Sequence, residues 1–516
     1  MRECRRAADA PGFIVFRNFA ASGSNIGSRS NAIEHRPVSP EPEGMMRGLR
    51  QKLAGLMASL AGGGAVDGAG FPGKVTSRIA SGTALIVGSY FVSQMLRLAG
   101  NLVLSRILFP EAFGLMTLVM VVIVGVTMFS DVGIKPSIQQ SKRGDDQDFL
   151  DTAWTIQLIR CLLLWIACCL LAWPASAFFN EPMLAKLIPV ASFFLVIHGF
   201  FPTRIDTADR HMMLGRVTVL DLASQVIALL AMILLAWITR SVWALPIGTI
   251  VGAVARLVLS DRYLLGPRNR LRWEREARIE LIRFGKWIFL STAFSFLLSQ
   301  SDKMILGKYV SIEGIGIYNV GFFIATAPMM IAIAVNGRMM LPLCRDHPPG
   351  QSRDDFRIIR KVRFRFTLAF LACQVGLAFL GGMIIQILYD DRFLASGAIV
   401  VAVALMNLPY LIGMTYDVAA LAAGDSRSVF MLNATRAVLQ AGLFLAGIEL
   451  DGLTGAFIGF ALGHCLAHAL VIRVAIKHKA WDPLHDAVMV LIGLIVAPVA
   501  IWLHLGELAM LSGFVL

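Results

Sequence analysis

Charge is scarce in this sequence. Asp, Glu, Lys and Arg make up 16% of its 516 residues and hydrophobic residues 57%, where a soluble domain carries about a quarter of charged residues. That balance excludes an ordinary water-soluble globule. Cysteine pairing signals are missing too. Five of the seven cysteines (Cys161, Cys168, Cys169, Cys373 and Cys465) fall inside apolar stretches with no CxxC or Cys/His spacing, so neither a disulfide framework nor a metal site is expected, and no cofactor. The chain also lacks a Walker A loop, GxSxG and HExxH. Its longest internal loop outside the central connector, residues 344–361, is too short for a catalytic domain. Enzymatic chemistry is therefore not expected, and transport remains by elimination. The net charge of +13 does not point to nucleic acid, because the basic residues lie between apolar runs rather than in a domain with stacking aromatics.

What is present is a series of apolar runs about 18 to 25 residues long, enough for a helix to cross roughly 30 Å of hydrocarbon. They lack the ten-residue alternation of an outer-membrane barrel. Spans are expected near 80–106, 113–134, 152–173, 184–202, 215–238, 242–261, 285–307, 316–342, 362–388, 396–416, 429–448, 453–475 and 486–505. The reading is an all-α polytopic membrane protein: two parallel six-helix lobes around a central cavity, plus one or two extra C-terminal segments. Residues 1–78 form a cytoplasmic extension, disordered or mis-assigned over 1–44, with a basic stretch at 46–60 that suits either a short amphipathic helix or a linker. The N-lobe is 79–261, a cytoplasmic connector 262–284, the C-lobe 285–476 and the extra C-terminal segment 477–516. The connector, rich in Arg, reads as an amphipathic surface helix.

The lobes are suggested by an internal echo. Residues 97–114, RLAGNLVLSRILFPEAFG, return 202 positions later as 299–316, SQSDKMILGKYVSIEGIG, aligning Leu104 with Leu306, Arg106 with Lys308, Glu111 with Glu313 and Gly114 with Gly316. Each copy opens a block of about six spans, as in transporters built from repeats. Lys and Arg crowd the loops after even-numbered spans, whereas the others carry only Arg106, Lys186, Arg240, Lys303, Lys308 and Arg392. Even loops and the N-terminus are thus expected in the cytoplasm. An even number of spans per block makes the repeats parallel.

Polar groups in apolar spans are the candidates for function. Arg97 lies near the middle of the first span with Gln94 on the same face, and is read as lining a cavity. It needs a carboxylate partner, an anionic ligand or water. Arg160, Arg256 and Arg436 lie nearer cytoplasmic ends, where ligand contact competes with snorkelling or pairing. Asp302 and Lys303, toward the outer end of the seventh span, read either as cavity residues or as an ion pair. Asp131 and Asp221 read as helix-terminal or inter-lobe polar contacts. His198, His464 and His468 read as packing or proton-relay residues. Gly321, Gly381, Gly382, Gly459 and Gly463 read as sites of close helix packing.

Residues 104–140, LSRILFPEAFGLMTLVMVVIVGVTMFSDVGIKPSIQQ, resemble the start of the polysaccharide transporter branch of the multidrug/oligosaccharidyl-lipid/polysaccharide flippase superfamily. Residues 283–318, with Gln300, Asp302, Gly307, Gly316 and Tyr318, are similar to its second-lobe opening, and 206–225 and 422–430 add further matches. The resemblance covers roughly residues 80–475. It implies a bacterial inner-membrane flippase that moves a polyprenyl-diphosphate-linked oligosaccharide by alternating access, for exopolysaccharide, capsule or lipopolysaccharide synthesis. Its partners would be the lipid-linked oligosaccharide, membrane lipids, and the polysaccharide polymerase and export machinery. The alternatives are a cation-coupled multidrug antiporter of the same superfamily and a membrane polysaccharide polymerase or acyltransferase.

The charge asymmetry makes a direct prediction. A reporter fused after residue 272 is expected to behave as cytoplasmic and one after residue 392 as periplasmic; the opposite pair of signals would invert the assignment.

Overall fold

The computed structural model describes residues 75–516 apart from 131–133, 212–213, 265, 279–280, 282–287, 510 and 512–516, within a unit running from Gly73 to Leu516. The expectations for 1–44 and 46–60, and for Asp131, lie outside the described residues. Helices α1 (Val75–Ile107), α2 (Pro110–Phe129), α3 (Ile134–Gln140), α4 (Gln147–Phe179), α5 (Leu184–Gly199), α6 (Arg204–Arg210), α7 (Leu214–Thr239) and α8 (Ala244–Tyr263) precede the connector. After it come α9 (Ile288–Tyr309), α10 (Ile312–Asp346), α11 (Arg353–Leu388), α12 (Ser396–Met406), α13 (Leu408–Ala422), α14 (Ser426–Lys477), α15 (Pro483–Leu503) and α16 (Leu505–Ala509). No strand occurs among the described residues beyond a single bridge position at Val310. Among the described residues eight helices are each long and apolar enough to cross a bilayer, nine if the bent pair of Asp391–Met406 and α13 counts as one span.

Every expected span overlaps a helix among the described residues, and local chemistry sets the ends. Pro110 opens α2, where its missing N–H costs nothing. The side chains of Asp146, Ser311, Ser352, Asp425 and Asp482 accept backbone N–H groups at the starts of α4, α10, α11, α14 and α15, satisfying donors that a helix leaves open. Two expected spans, 429–448 and 453–475, are the arms of α14, which breaks at Asp451 and Gly452. The arms fold back so closely that a Cβ built on Gly447 would lie 2.1 Å from the Gly455 oxygen, and one on Gly459 2.0 Å from the Leu443 oxygen. At the open end of this hairpin the Lys477 ammonium, with Ser428 and His478, meets Asp425. Lys477 foremost holds that carboxyl below the usual carboxylate range.

The connector departs from the expected helix. Residues 267–274 are irregular and helix begins only at 275. The reason is that α4 offers this stretch better acceptors: Asp151 Oδ1 takes the Arg270 N–H, Thr155 Oγ1 the Arg272 N–H and Thr152 Oγ1 the Glu274 N–H. Arg143 bonds both Asp146 and Glu274, at 2.6 and 2.8 Å, and its guanidinium keeps the Asp146 carboxyl low. Ala277 and Leu281 are then buried against Ile138, Phe149 and Leu150.

The two halves meet through the repeated motif. A Cβ on Gly114 would sit 2.0 Å from the Ile312 carbonyl oxygen, and one on Gly316 would sit 1.9 Å from that of Pro110. Residues 110 and 312 are themselves 202 apart, so the contact is reciprocal and the local two-fold axis passes between the glycines. The largest apolar core is built around this crossing and joins both halves, with Leu104, Leu118 and Leu187 from the first and Leu306, Ile399 and Phe393 from the second. At the arginine-rich end, the clusters among the described residues stay within a half: Ile134 to Leu281 and Ile197 to Leu264 in the first, Met340 to Ala480 and Tyr416 to Ala475 in the second. The bundle is therefore welded at its arginine-poor end.

Gly114→Ala and Gly316→Ala are each expected to cost about 1–3 kcal/mol, the usual penalty of overpacking, read as a lower melting temperature in detergent. Gly376, with nothing within 4 Å of an added Cβ, is the control: Gly376→Ala should be neutral or stabilising, as in an exposed helix.

Candidate functional site

The inner face of α1 carries the leading candidate. Residues 97, 104 and 108 fall within about 20° of one line along a helix of 3.6 residues per turn. Leu104 and Leu108 on that line are buried, at 4% and 1% exposure, while Arg97 is exposed. The repeat-related helix α9 shows the same change, with Leu306 and Val310 buried and Ser299 exposed. On this line both helices are thus covered near the welded end and uncovered at Arg97 and Ser299. Arg97 has no hydrogen bond or ion pair among the described residues. Gln94 is buried, and one residue before it Ser93 bonds Gln225 of α7 at 2.8 Å, which fixes the rotation of α1.

A second feature is a groove of about 1080 Å³ between α2, α4 and α9. Its wall is apolar except at the arginine-rich end, where Arg160 and Ser130 lie near Trp273. Arg160 donates from Nε to Ser130 Oγ at 2.9 Å and from Nη2 to the Thr127 carbonyl at 3.2 Å. Of the candidate residues read from the sequence, Arg160 alone lines this groove.

The other candidates are engaged in internal pairs. Arg256 meets Asp221 at 2.7 Å and lies over the Phe201 ring, so Asp221 works between α7 and α8 within the first half. Arg436, 4% exposed, presents its two terminal nitrogens to Asp417 and stacks on Tyr410. Asp302, 3% exposed, accepts the Tyr318 hydroxyl at 2.7 Å, with Lys303 at 3.7 Å and that ammonium over the Phe322 ring. His464 packs on Tyr410 and Phe460 and His198 on Phe201. No cluster of three metal-ligating residues occurs among the described residues.

Three groups escaped the sequence reading. Asp417 is the partner of Arg436. A buried polar knot joins α11, α13 and α15: the Tyr416 hydroxyl donates to Asp486 at 2.7 Å, Arg363 lies 4.2 Å from the Tyr416 ring centre, and His485 reaches Thr367 at 3.0 Å. The third group is a pair of clasps at the welded end. Arg392 of the second half donates to the Ser105 and Leu108 carbonyls at the end of α1, and Lys308 to the Phe178 carbonyl at the end of α4. Both put a cation on the negative end of a helix dipole in the other half.

A family model described as "Polysaccharide biosynthesis protein" matches residues 103–398. The amylovoran biosynthesis protein AmsL of Erwinia amylovora is 21% identical over 267 residues, 50% of this chain and 66% of AmsL, so the chain spans just under two thirds of that relative. The lipopolysaccharide biosynthesis protein WzxC of Escherichia coli is 22% identical over 406 residues, 77% of this chain and 79% of WzxC. Among solved structures, the lipid II flippase MurJ in an inward closed conformation aligns with a TM-score of 0.62 at 13% identity, over 81% of this chain and 98% of MurJ. An inward-facing multidrug resistance transporter of the MATE family, in the MOP superfamily, aligns with a TM-score of 0.55 at 16% identity, over 77% and 95%. At these identities the likeness to the solved structures is one of fold.

The Arg436–Asp417 pair separates a structural role from ligand contact. Arg436→Ala is expected to destabilise the protein by about 3–5 kcal/mol by leaving a buried charge alone, while the double change Arg436→Met with Asp417→Leu should restore much of the loss. Full thermal stability of Arg436→Ala would refute the structural assignment.

Proposed function

The chain belongs to the polysaccharide biosynthesis protein family, and from that membership we propose that it is a flippase carrying a lipid-linked oligosaccharide, on a polyprenyl diphosphate, across the bacterial inner membrane. The observation that carries this reading is the division of the core. One apolar core holds both halves together at the arginine-poor end, and separate cores serve each half at the other. Two bodies hinged at one end are what alternating access requires. With the arginine-rich end in the cytoplasm, by the distribution of basic loops, this is the state that receives cargo from inside.

Arg97 is the residue proposed to meet the cargo. It lies ten residues from the end of α1 at Ile107, about 15 Å along the helix, at a depth where a cation without a counter-charge is expensive. A guanidinium suits a diphosphate, which it grips through paired charge-assisted hydrogen bonds, while the prenyl chain stays in the bilayer and the sugar occupies the cleft. No bond in the cargo is made or broken. Lipid-linked repeat units come from enzymes on the cytoplasmic side, and a polymerase and export machinery act on them afterwards. A cation antiporter would instead want an unengaged carboxylate in the cleft. Asp221, Asp302 and Asp417 are each held by a partner, which favours the anionic cargo.

A deletion strain is expected to accumulate the lipid-linked oligosaccharide on the cytoplasmic leaflet; accumulation on the periplasmic leaflet would point to polymerisation. Arg97→Ala should abolish complementation of polymer export at normal protein level, and Arg97→Lys should retain part of it. Full complementation by Arg97→Ala would remove Arg97 from the site.

A further inference from the structure

The loops after α10 and α14 line a second pocket, of about 480 Å³, at the arginine-rich end of the second half. Arg353, Arg357 and Arg360 enter it from α11, and at about 100° per residue they fall within roughly 60° of one line along that helix. Lys479 joins them from the turn after α14, and no carboxylate belongs to the lining. Arg360 Nε reaches the buried Asp482 at 3.0 Å. Arg357 meets Asp354 at 3.0 Å with both side chains exposed, where an ion pair holds weakly. The side chains of Arg353 and Lys479 have no hydrogen bond or ion pair among the described residues.

Basic loops on this side of the bilayer are what membrane topology demands, so their charge alone marks no site. Lys479 adds a separate observation. At the end of α14 the Lys479 N–H bonds the Ile476 carbonyl at 3.0 Å and the Ala480 N–H that of Ala475 at 2.8 Å, a Schellman turn with Lys479 left-handed at φ 54°. Glycine fills that position at least cost, and a residue with a Cβ is strained there. The lysine stem lies along Gly350, where an added Cβ would meet its Cδ at 3.0 Å, which seats the side chain at the pocket. Its neighbour Lys477 is engaged with Asp425; Lys479 is not. A strained backbone that carries an unpaired cation into a pocket points to a charge in use.

Two positive charges, on Arg353 and Lys479, are thus left over in a space the size of a small-molecule site. A phosphomonoester carries about −1.5 to −2 at neutral pH and a phosphodiester only about −1. Guanidinium forks match phosphate oxygens in pairs. We infer that this pocket binds a compound with a terminal phosphate, presented either by a soluble organic phosphate on the cytoplasmic side or by a phosphate-ended lipid headgroup. None of the lining residues belongs to the first half, so the site is distinct from Arg97 and does not rest on the flippase reading.

The test uses the purified full chain in phosphatidylcholine nanodiscs. Radiolabelled adenosine monophosphate is the soluble probe, followed by equilibrium dialysis with adenosine as its control. Phosphatidic acid added to the nanodiscs is the lipid probe, counted by native mass spectrometry with the singly charged phosphatidylglycerol as its control. At least one terminal-phosphate probe is expected to bind above its control, and which of them does so names the source. Lys479→Gly should weaken that binding about tenfold, the effect of losing one charge-assisted contact. It should also keep or raise the melting temperature, because glycine relieves the left-handed turn, so the loss cannot be put down to unfolding. Arg353→Gln should weaken binding to a similar degree at an unchanged melting temperature, and Arg97→Ala should bind as wild type. Failure of both terminal-phosphate probes to exceed their controls would overturn the assignment. So would wild-type binding by either pocket variant, or loss of binding in folded Arg97→Ala, which would place the probe at the cargo site instead.

Discussion

The reciprocal crossing of Gly114 and Gly316 governs the rest of the structure. Only where both side chains are reduced to hydrogen can each helix lay its backbone on the other's first-turn carbonyl, and here the distances to an added Cβ, 2.0 and 1.9 Å, forbid anything larger. Close approach at one point of two membrane helices brings their neighbours into contact as well. Phe113 and Phe393 meet edge to face at 5.9 Å, and Leu118 and Phe179 close over Gly307, where an added Cβ would lie 2.6 Å from each. Because the contact is related by the repeat, neither half can tilt about it without its partner moving equally. The crossing is thus the point of tightest contact between the halves, and Arg392 and Lys308 add polar contacts across the same seam.

Those clasps are individually weak. A cation donating to the open carbonyls of a helix end is worth roughly 0.3–1 kcal/mol at an exposed site, enough to bias a closed state and too little to lock it. Salt bridges fully buried in the seam would behave differently, since separating them strands charge in a low-dielectric setting. The ion pair Arg436–Asp417, like the half-buried Asp425 cluster and the Arg256–Asp221 pair, lies inside one half.

Much of this was legible in one dimension. Span length and hydropathy are set by the bilayer itself, so the helices fell where the apolar runs lie, including the two arms of α14. The echo at 202 residues pointed to two halves, and its aligned glycines proved to be the point where those halves touch. What stayed hidden depends on distance in space. Asp417 and Arg436 are 19 residues apart on different helices, and nothing in either span marks the other as its partner, so for Arg436 pairing, snorkelling and ligand contact all stayed open. The connector read as a helix from its charge pattern, because the acceptors that draw out its N–H groups, Asp151, Thr152 and Thr155, sit more than a hundred residues earlier. The knot of Arg363, Tyr416, His485 and Asp486 was missed for the same reason: each member alone looks like a residue at a span end.

The cations of the membrane region then sort by what answers their charge. Arg256 and Arg436 have carboxylates; Arg363 has a carbonyl of Ala480 and the face of Tyr416, partial compensation in a fully enclosed place. Arg97 has nothing among the described residues, and Arg160 has only neutral oxygens. A protein that can build the first arrangement and does so repeatedly has no structural need for the last two. Arg97 and Arg160 also differ from each other: one stands exposed on α1, the other in a groove that α2 and α4 of the first half share with α9 of the second. Under the proposed flippase reading, an anionic cargo would supply the counter-charge that the protein itself does not give to these two cations.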